Sequence, residues 1–354
     1  MEIHIRKAAT LKQKPQDEGS LGFGKIFTDH MFLMEYDEGR GWHDARIQPY
    51  GKLEVDPASP VLHYAQEIFE GLKAYRTPQG DVQLFRPRDN AVRLNISAHR
   101  MCMPEIDPDF NVEAMKALVN LERDWVPYTE GTSLYLRPTM ISDGAELGVH
   151  ASKRYLYFII CAASGMYYTK GFAPVRIYVE DSYVRAVRGG VGGAKTGGNY
   201  AASLRASEEA REKGYSQVLW LDAVEHKYVQ EVGAMNMMFL IGDTVCTAPI
   251  DGSILDGITR RSVLQLVKDM GYRVEERPIS VEELYKAGES GLLKEAFGTG
   301  TAAIITPVSE LCYQDKPLVL SGGGIGELTR KVYDTLTGIQ RGAVNDPYGW
   351  AVKI

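Results

Sequence analysis

Apolar positions along the chain fall into runs of different period. Residues 155–162 are almost continuously apolar, the pattern of a strand covered on both faces. Residues 27–35 and 134–142 also read as strands, whereas 92–101 and 112–124 carry helical spacing. In the second half, 175–179, 218–221 and 237–241 read as strands, and a helix is expected over 199–213, stopped by Gly214. A further helix starts with Thr259 as N-cap, puts Val263, Leu266, Val267 and Met270 on one face, and ends at Gly271 as C-cap. Strands and helices alternate without a strict βαβ rhythm, which predicts an α+β (mixed α/β) chain with mixed sheets rather than a doubly wound one. Between the halves, Gly165, Gly171 and Pro174 bracket aromatic and polar residues. That punctuation predicts a smaller α/β domain over 1–164, a link over 165–174 and a larger domain over 175–354.

Composition narrows the class. At 354 residues the chain exceeds the size at which one core usually divides, and 44% apolar with 24% charged residues is ordinary for a globular protein. A net charge of −6 offers no general attraction to nucleic acid or to an anionic membrane. No apolar run reaches the length of a membrane span, and residues 1–10 lack the apolar core of a signal peptide. Cys102, Cys161, Cys246 and Cys312 are widely spaced, so neither a disulfide framework nor a metal site is expected, and the reducing cytoplasm is the simplest location.

The chemistry concentrates in residues 189–200, where Lys195 stands alone in a run of glycines. Glycine admits close approach of backbone to a ligand. A lysine there is either a point charge on a phosphate or a nucleophile toward a carbonyl. Gly189 followed by Ala194, Lys195 and Thr196 approximates a phosphate loop, but Ala194 occupies the place of the required glycine. The carbonyl reading needs further parts: a carboxylate for a pyridine nitrogen, a phosphate cup and donors for a substrate carboxylate.

Those parts come with a resemblance. Phe27 to Met31, Glu67 to Arg76, Tyr135 to Pro138, Ala194 to Tyr200, Glu231 to Asn236, Gly257 to Arg261 and Gly298 to Ala302 resemble, in order and spacing, blocks of the branched-chain amino-acid aminotransferases. These are two-domain, fold type IV pyridoxal-phosphate enzymes of the D-amino-acid aminotransferase-like fold. The resemblance implies a homodimer that exchanges the amino group between leucine, isoleucine or valine and 2-oxoglutarate through a Schiff base of pyridoxal 5'-phosphate on Lys195. Fold relatives with other activities are the D-amino-acid and amine transaminases and aminodeoxychorismate lyase.

By resemblance, Lys195 is catalytic, Glu231 faces the pyridine nitrogen and the Tyr200 hydroxyl meets the ring oxygen. Arg93, Ile258, Thr259 and Thr301 form the phosphate cup, and a helix N-terminus at 258–259 suits an anion physically. Tyr64, Tyr135, Arg137, Thr301 and Ala302 surround the substrate carboxylate. Phe23, Phe69, Tyr167 and Ala302 line an aliphatic pocket, and Val149 belongs to a loop lent to the other subunit. By residue type alone, Tyr200, Phe69 and Tyr167 are packed aromatics, Arg93 an exposed helix charge and Glu231 a surface residue. Two departures stand out. Residues Ala303 to Thr306 lack the C-x-x-C of some eukaryotic relatives, and Ala234 stands where some relatives have threonine, which leaves substrate range open.

Overall fold

The continuous apolar run becomes the strand Arg154–Ser164, whose alternate side chains enter two different cores. Tyr155, Tyr157, Ile159 and Cys161 pack into one cluster, while Leu156, Phe158 and Ile160 meet Met31, Leu33 and Ile141 on the opposite face. Burial on both faces is why the sequence shows no alternation there. The computed structural model describes residues 1–168 and 171–354, so Thr169 and Lys170, part of the expected link 165–174, lie outside the described residues.

Two compact units are present, each with its own sheet. The first comprises Met1–Thr169, Ala194–Gly197 and Gly338–Ile354. Its central strands run in the order Gly41–Pro49, His30–Asp37, Arg154–Ser164, Ser133–Ser142, Leu72–Arg76, Val82–Phe85 and Ala351–Lys353, all antiparallel to their neighbours. The short strand Glu67–Phe69 also pairs with Ser133–Ser142. Helices Pro87–Arg100 and Pro108–Leu121 bring Leu94, Ala98, Met115 and Leu118 against Phe32, Ile47, Leu72 and Leu136. The expected strand over 27–35 is divided: Ile26–Phe27 pairs with Arg154–Ser164, and His30–Asp37 starts afresh beyond Asp29. Asp29 spends its carboxylate on the Lys12 N–H and the Trp125 indole, which bends the chain out of the ladder.

The second unit, Lys170–Gly193 and Gly198–Thr337, carries a mixed sheet. Val229–Val232, Gln217–Leu221, Val175–Glu180, Ile304–Tyr313, Leu293–Gly300 and Met235–Ile241 are neighbours in that order, and the last pairs with the first. Closure into a ring leaves these six strands without a free edge. Trp220 and Val218 receive Ala206 and Ala210 from the helix Leu204–Glu212. The helix expected over 199–213 is broken into Gly197–Ala201 and Leu204–Glu212. Ser203 is the reason: its hydroxyl and its N–H both take the Tyr200 carbonyl, at 2.6 and 3.1 Å, in place of a regular helical bond.

Candidate active site

In the first unit, the tetrapeptide Ala194–Gly197 is strapped to its surroundings through backbone bonds. The Lys195 N–H donates to the buried Ser97 hydroxyl at 2.9 Å, and the Lys195 carbonyl accepts the Phe69 N–H at 3.0 Å. The Thr196 hydroxyl donates to the Glu67 carbonyl at 2.7 Å. Gly197 lets the Glu67 carboxylate approach closely, since a Cβ there would push that side chain aside. With the backbone pinned, the Lys195 amine lies 4.8 Å from the centre of the Phe69 ring. The Arg137 guanidinium lies 4.6 Å from the same ring.

Tyr135 and Arg137 sit two apart on Ser133–Ser142, so they share a face. Arg137 donates to the Tyr135 hydroxyl at 2.8 Å. Its buried Nε has no hydrogen-bond partner among the described residues, a donor suited to an anionic ligand. The Tyr135 hydroxyl fits only because residue 71 is glycine, since a Cβ would collide with it. Phe23 meets Tyr135 edge-on at 4.9 Å and Tyr167 at 5.3 Å, so the expected aliphatic wall and the Tyr135–Arg137 pair are contiguous. Tyr64, at the end of a short helix, donates to the Leu147 carbonyl at 2.5 Å, and Val149 is exposed in the same loop.

Arg93 is not the exposed helix charge that its immediate sequence suggests. It is buried and pairs side-on with buried Glu70, Nε to Oε1 and Nη2 to Oε2 both at 2.8 Å. Two further charges carry no signal of their role in the sequence. Lys73 stands directly across from Tyr135 in the ladder, and complete burial pushes its pKa down to about 7. Burial also raises the Glu67 carboxyl above its ordinary value, against the Gly197 N–H and the nearby Arg137 charge, which lower it. Both lie inside the quoted block 67–76, but burial of a charge leaves no local sequence signal.

In the second unit, Glu231 and Asn236 are cross-strand partners around the two-residue turn Gly233–Ala234, with Gly233 at φ +55°. Glu231 is buried rather than a surface residue. Its Oε1 accepts from Asn236 Nδ2 at 3.1 Å and from the Leu255 N–H at 3.0 Å. Its Oε2 lies 2.9 Å from Arg185 Nε. The helix Ile258–Asp269 begins beside this group, because a Cβ on its N-cap Gly257 would collide with Asn236 Oδ1. Thr259 is therefore not the N-cap, and the end is Met270 with Gly271 one residue beyond, at φ +89°. A glycine N-cap supplies no side-chain acceptor, so the buried N–H groups at Ile258 and Thr259 suit an anion. Asn236 is also opposite Thr299, which places Thr301 just beyond the same row; Gly298 and Gly300 make room for Met235. Tyr200 lies on the helix Gly197–Ala201, and Ala302 follows Thr301 in a partly buried turn.

The second unit thus joins, through Asn236, a buried carboxylate and an uncapped helix end. That set suits a ligand with a cationic ring nitrogen and a phosphate. The first unit offers a pinned amine beside an arginine and an aromatic wall. Among the described residues no group of His, Cys, Asp and Glu is arranged to hold a metal ion, and no helix is long and apolar enough to cross a membrane.

Comparison with known proteins agrees with this chemistry. The family model for amino-transferase class IV matches residues 67–311. The branched-chain-amino-acid transaminase 1 of Bacillus subtilis is 53% identical over 353 residues, covering 99% of each chain. Among solved structures, the Escherichia coli branched-chain amino acid aminotransferase superimposes with a TM-score of 0.75 at 27% identity, covering 90% of this chain and 98% of the other. The branched-chain amino acid aminotransferase of T.th., solved with pyridoxamine 5'-phosphate, gives a TM-score of 0.72 at 26% identity, covering 90% and 97%. The chain belongs to the class IV aminotransferases.

Proposed function

We infer that the chain is a branched-chain amino acid transaminase using pyridoxal 5'-phosphate, moving the amino group between L-leucine, L-isoleucine or L-valine and 2-oxoglutarate. Likeness to branched-chain aminotransferases along nearly the whole chain supports the activity. The observation that carries the residue assignment is Asn236 tying the Glu231 carboxylate to the start of the helix Ile258–Asp269. When bound, pyridoxal phosphate supplies the electron-withdrawing ring that makes the substrate Cα proton labile.

The protein's own groups divide the remaining work. Lys195 would hold the cofactor covalently, and its Nζ, when free, would act as general base and then general acid, moving the substrate Cα proton to the cofactor's C4′ carbon. Glu231 stabilises a protonated ring nitrogen, and the Tyr200 hydroxyl orients the ring oxygen. Arg93, the N–H groups of Ile258 and Thr259, and the Thr301 hydroxyl hold the phosphate. Tyr64, Tyr135, Arg137 and the backbone of Thr301 and Ala302 meet the substrate carboxylate. Phe23, Phe69, Tyr167 and Ala302 exclude water around an aliphatic side chain, and a donor such as Arg137 offsets the desolvation of glutamate's second carboxylate. The working form is a cytoplasmic homodimer in which Val149 serves the other copy's site, and residues 165–174 link the two domains.

The test joins specificity to covalent mapping. L-leucine with 2-oxoglutarate should yield glutamate, and borohydride reduction of the holoenzyme should fix the cofactor to the peptide containing Lys195. Turnover of D-alanine without L-leucine, or a label on another residue, would overturn the assignment.

A further inference from the structure

Arg185 is buried against Glu231, with side-chain exposures of 7% and 4%. Its Nε lies 2.9 Å from Glu231 Oε2, although the N–H is not aligned on that oxygen, so the contact is charge against charge. What holds the arginine there is backbone. Its Nη2 donates to the Ser253 carbonyl at 2.8 Å and to the Gly192 carbonyl at 3.2 Å. The two carbonyls converge because residue 192 is glycine: a Cβ there would collide with the Ser253 carbonyl. Ser253 is itself fixed, donating through its N–H and hydroxyl to Asp251 Oδ1 and accepting from Gln230 Nε2 at 2.9 Å. Part of the glycine run before Lys195 thereby serves to build a clamp around a cation.

The charge has a consequence at the other oxygen's neighbours. A guanidinium does not lose its proton in proteins, so the pair keeps Glu231 anionic. A buried carboxylate without a cation gains proton affinity from desolvation. Beside a pyridine nitrogen such a carboxylate competes for the ring proton; a cation at Oε2 weakens that competition and leaves the proton on nitrogen. We propose that Arg185 is a positioning residue that keeps Glu231 ionised and aimed, so that the cofactor's ring nitrogen stays protonated. The inference rests on the reading of Glu231 as the ring-nitrogen partner.

The experiment uses holoenzyme reconstituted with cofactor labelled with ¹⁵N at the ring, in wild type, R185K, R185Q, R185H and E231Q. Wild type and R185K should show the chemical shift of a protonated pyridine, and R185Q a shift displaced toward the unprotonated one. Cofactor dissociation from R185Q should be faster by ~10-fold or more, the scale on which a buried pair loses one partner. Within one folded protein, the R185H shift should follow the imidazole charge as the pH passes through its titration, displaced from about 6.5 by burial and by Glu231. A wild-type shift in R185Q, or an R185H shift that is flat across the imidazole titration, with E231Q displaced, would overturn the role of Arg185 and leave Glu231 in place. A wild-type shift in E231Q would remove the Glu231 reading itself, and this inference with it. Should R185Q not fold, R185H alone decides.

Discussion

Removing Glu70 should destabilise the cofactor-free protein far more than the loaded one. Glu70 is fully buried and holds Arg93 by two bonds of 2.8 Å. In Glu70→Ala the guanidinium remains buried without its carboxylate, a change that costs about 3–5 kcal/mol when one partner of a buried pair is lost. If Arg93 meets the phosphate, the dianion takes over part of that neutralisation, and the loss in holoprotein should fall to about half. Chemical unfolding of both forms, with free cofactor held at one concentration far above the dissociation constants of wild type and variant alike, measures the difference, since ligand in excess adds stability according to its affinity for each folded protein. Glu70→Gln, which keeps the shape and one acceptor, should fall between. Equal losses in the two forms would refute the placement of Arg93 at the phosphate, and a loss below about 1 kcal/mol in apoprotein would refute the buried-pair argument.

Lys73 has a folded pKa of about 7, below its ordinary value, so the unfolded chain binds the extra proton between about pH 7 and 10.5. Stability should therefore rise with pH across that window by up to ~1.4 kcal/mol per unit, and Lys73→Met should flatten the rise in a pH series of denaturation curves. Asp222 behaves oppositely. Partial burial raises its carboxyl, but N–H groups of Val224, Glu225, Lys227 and Tyr228 together hold it down at about 2. The folded pKa is depressed, so its contribution is present above about pH 4 and lost as pH falls through 2. Because the group is largely solvent-screened, Asp222→Ala should cost only about 1–2 kcal/mol at neutral pH, and the gap to wild type should close in acid titrations followed by circular dichroism. Gly71→Ala forces a Cβ onto the Tyr135 hydroxyl. KM for both leucine and 2-oxoglutarate should rise ~10-fold or more with cofactor affinity unchanged, as steady-state kinetics and cofactor titration would show.

Elements whose burial pattern is local are readable in the chain. Arg154–Ser164, Ser133–Ser142 and Ile258–Asp269 follow from apolar runs and spacing, to within two residues at their ends. The break between Ala201 and Leu204 is not, because Ser203 competes for a carbonyl that a periodic pattern treats as spoken for. Thr259 is the expected cap because threonine caps helices well, yet Gly257 holds that place for the sake of contact with Asn236. In the candidate site, Lys195 and Glu231 stand out by their motifs. Arg185, Glu70 and Lys73 do not, since what defines them is a partner distant in sequence or the depth at which a charge is buried.

The first unit cannot complete its sheet from its own early residues. Ala351–Lys353 is the only described neighbour of Val82–Phe85 on that side, and Arg86 donates its N–H to the Trp350 carbonyl at 2.7 Å. During synthesis, the row of amides on Val82–Phe85 waits bare while more than half the polypeptide is still to be made. A nascent chain stalled before residue 351 would present a sticky ribbon to other molecules, and clipping the last few residues from the finished protein should provoke clumping before it dulls catalysis.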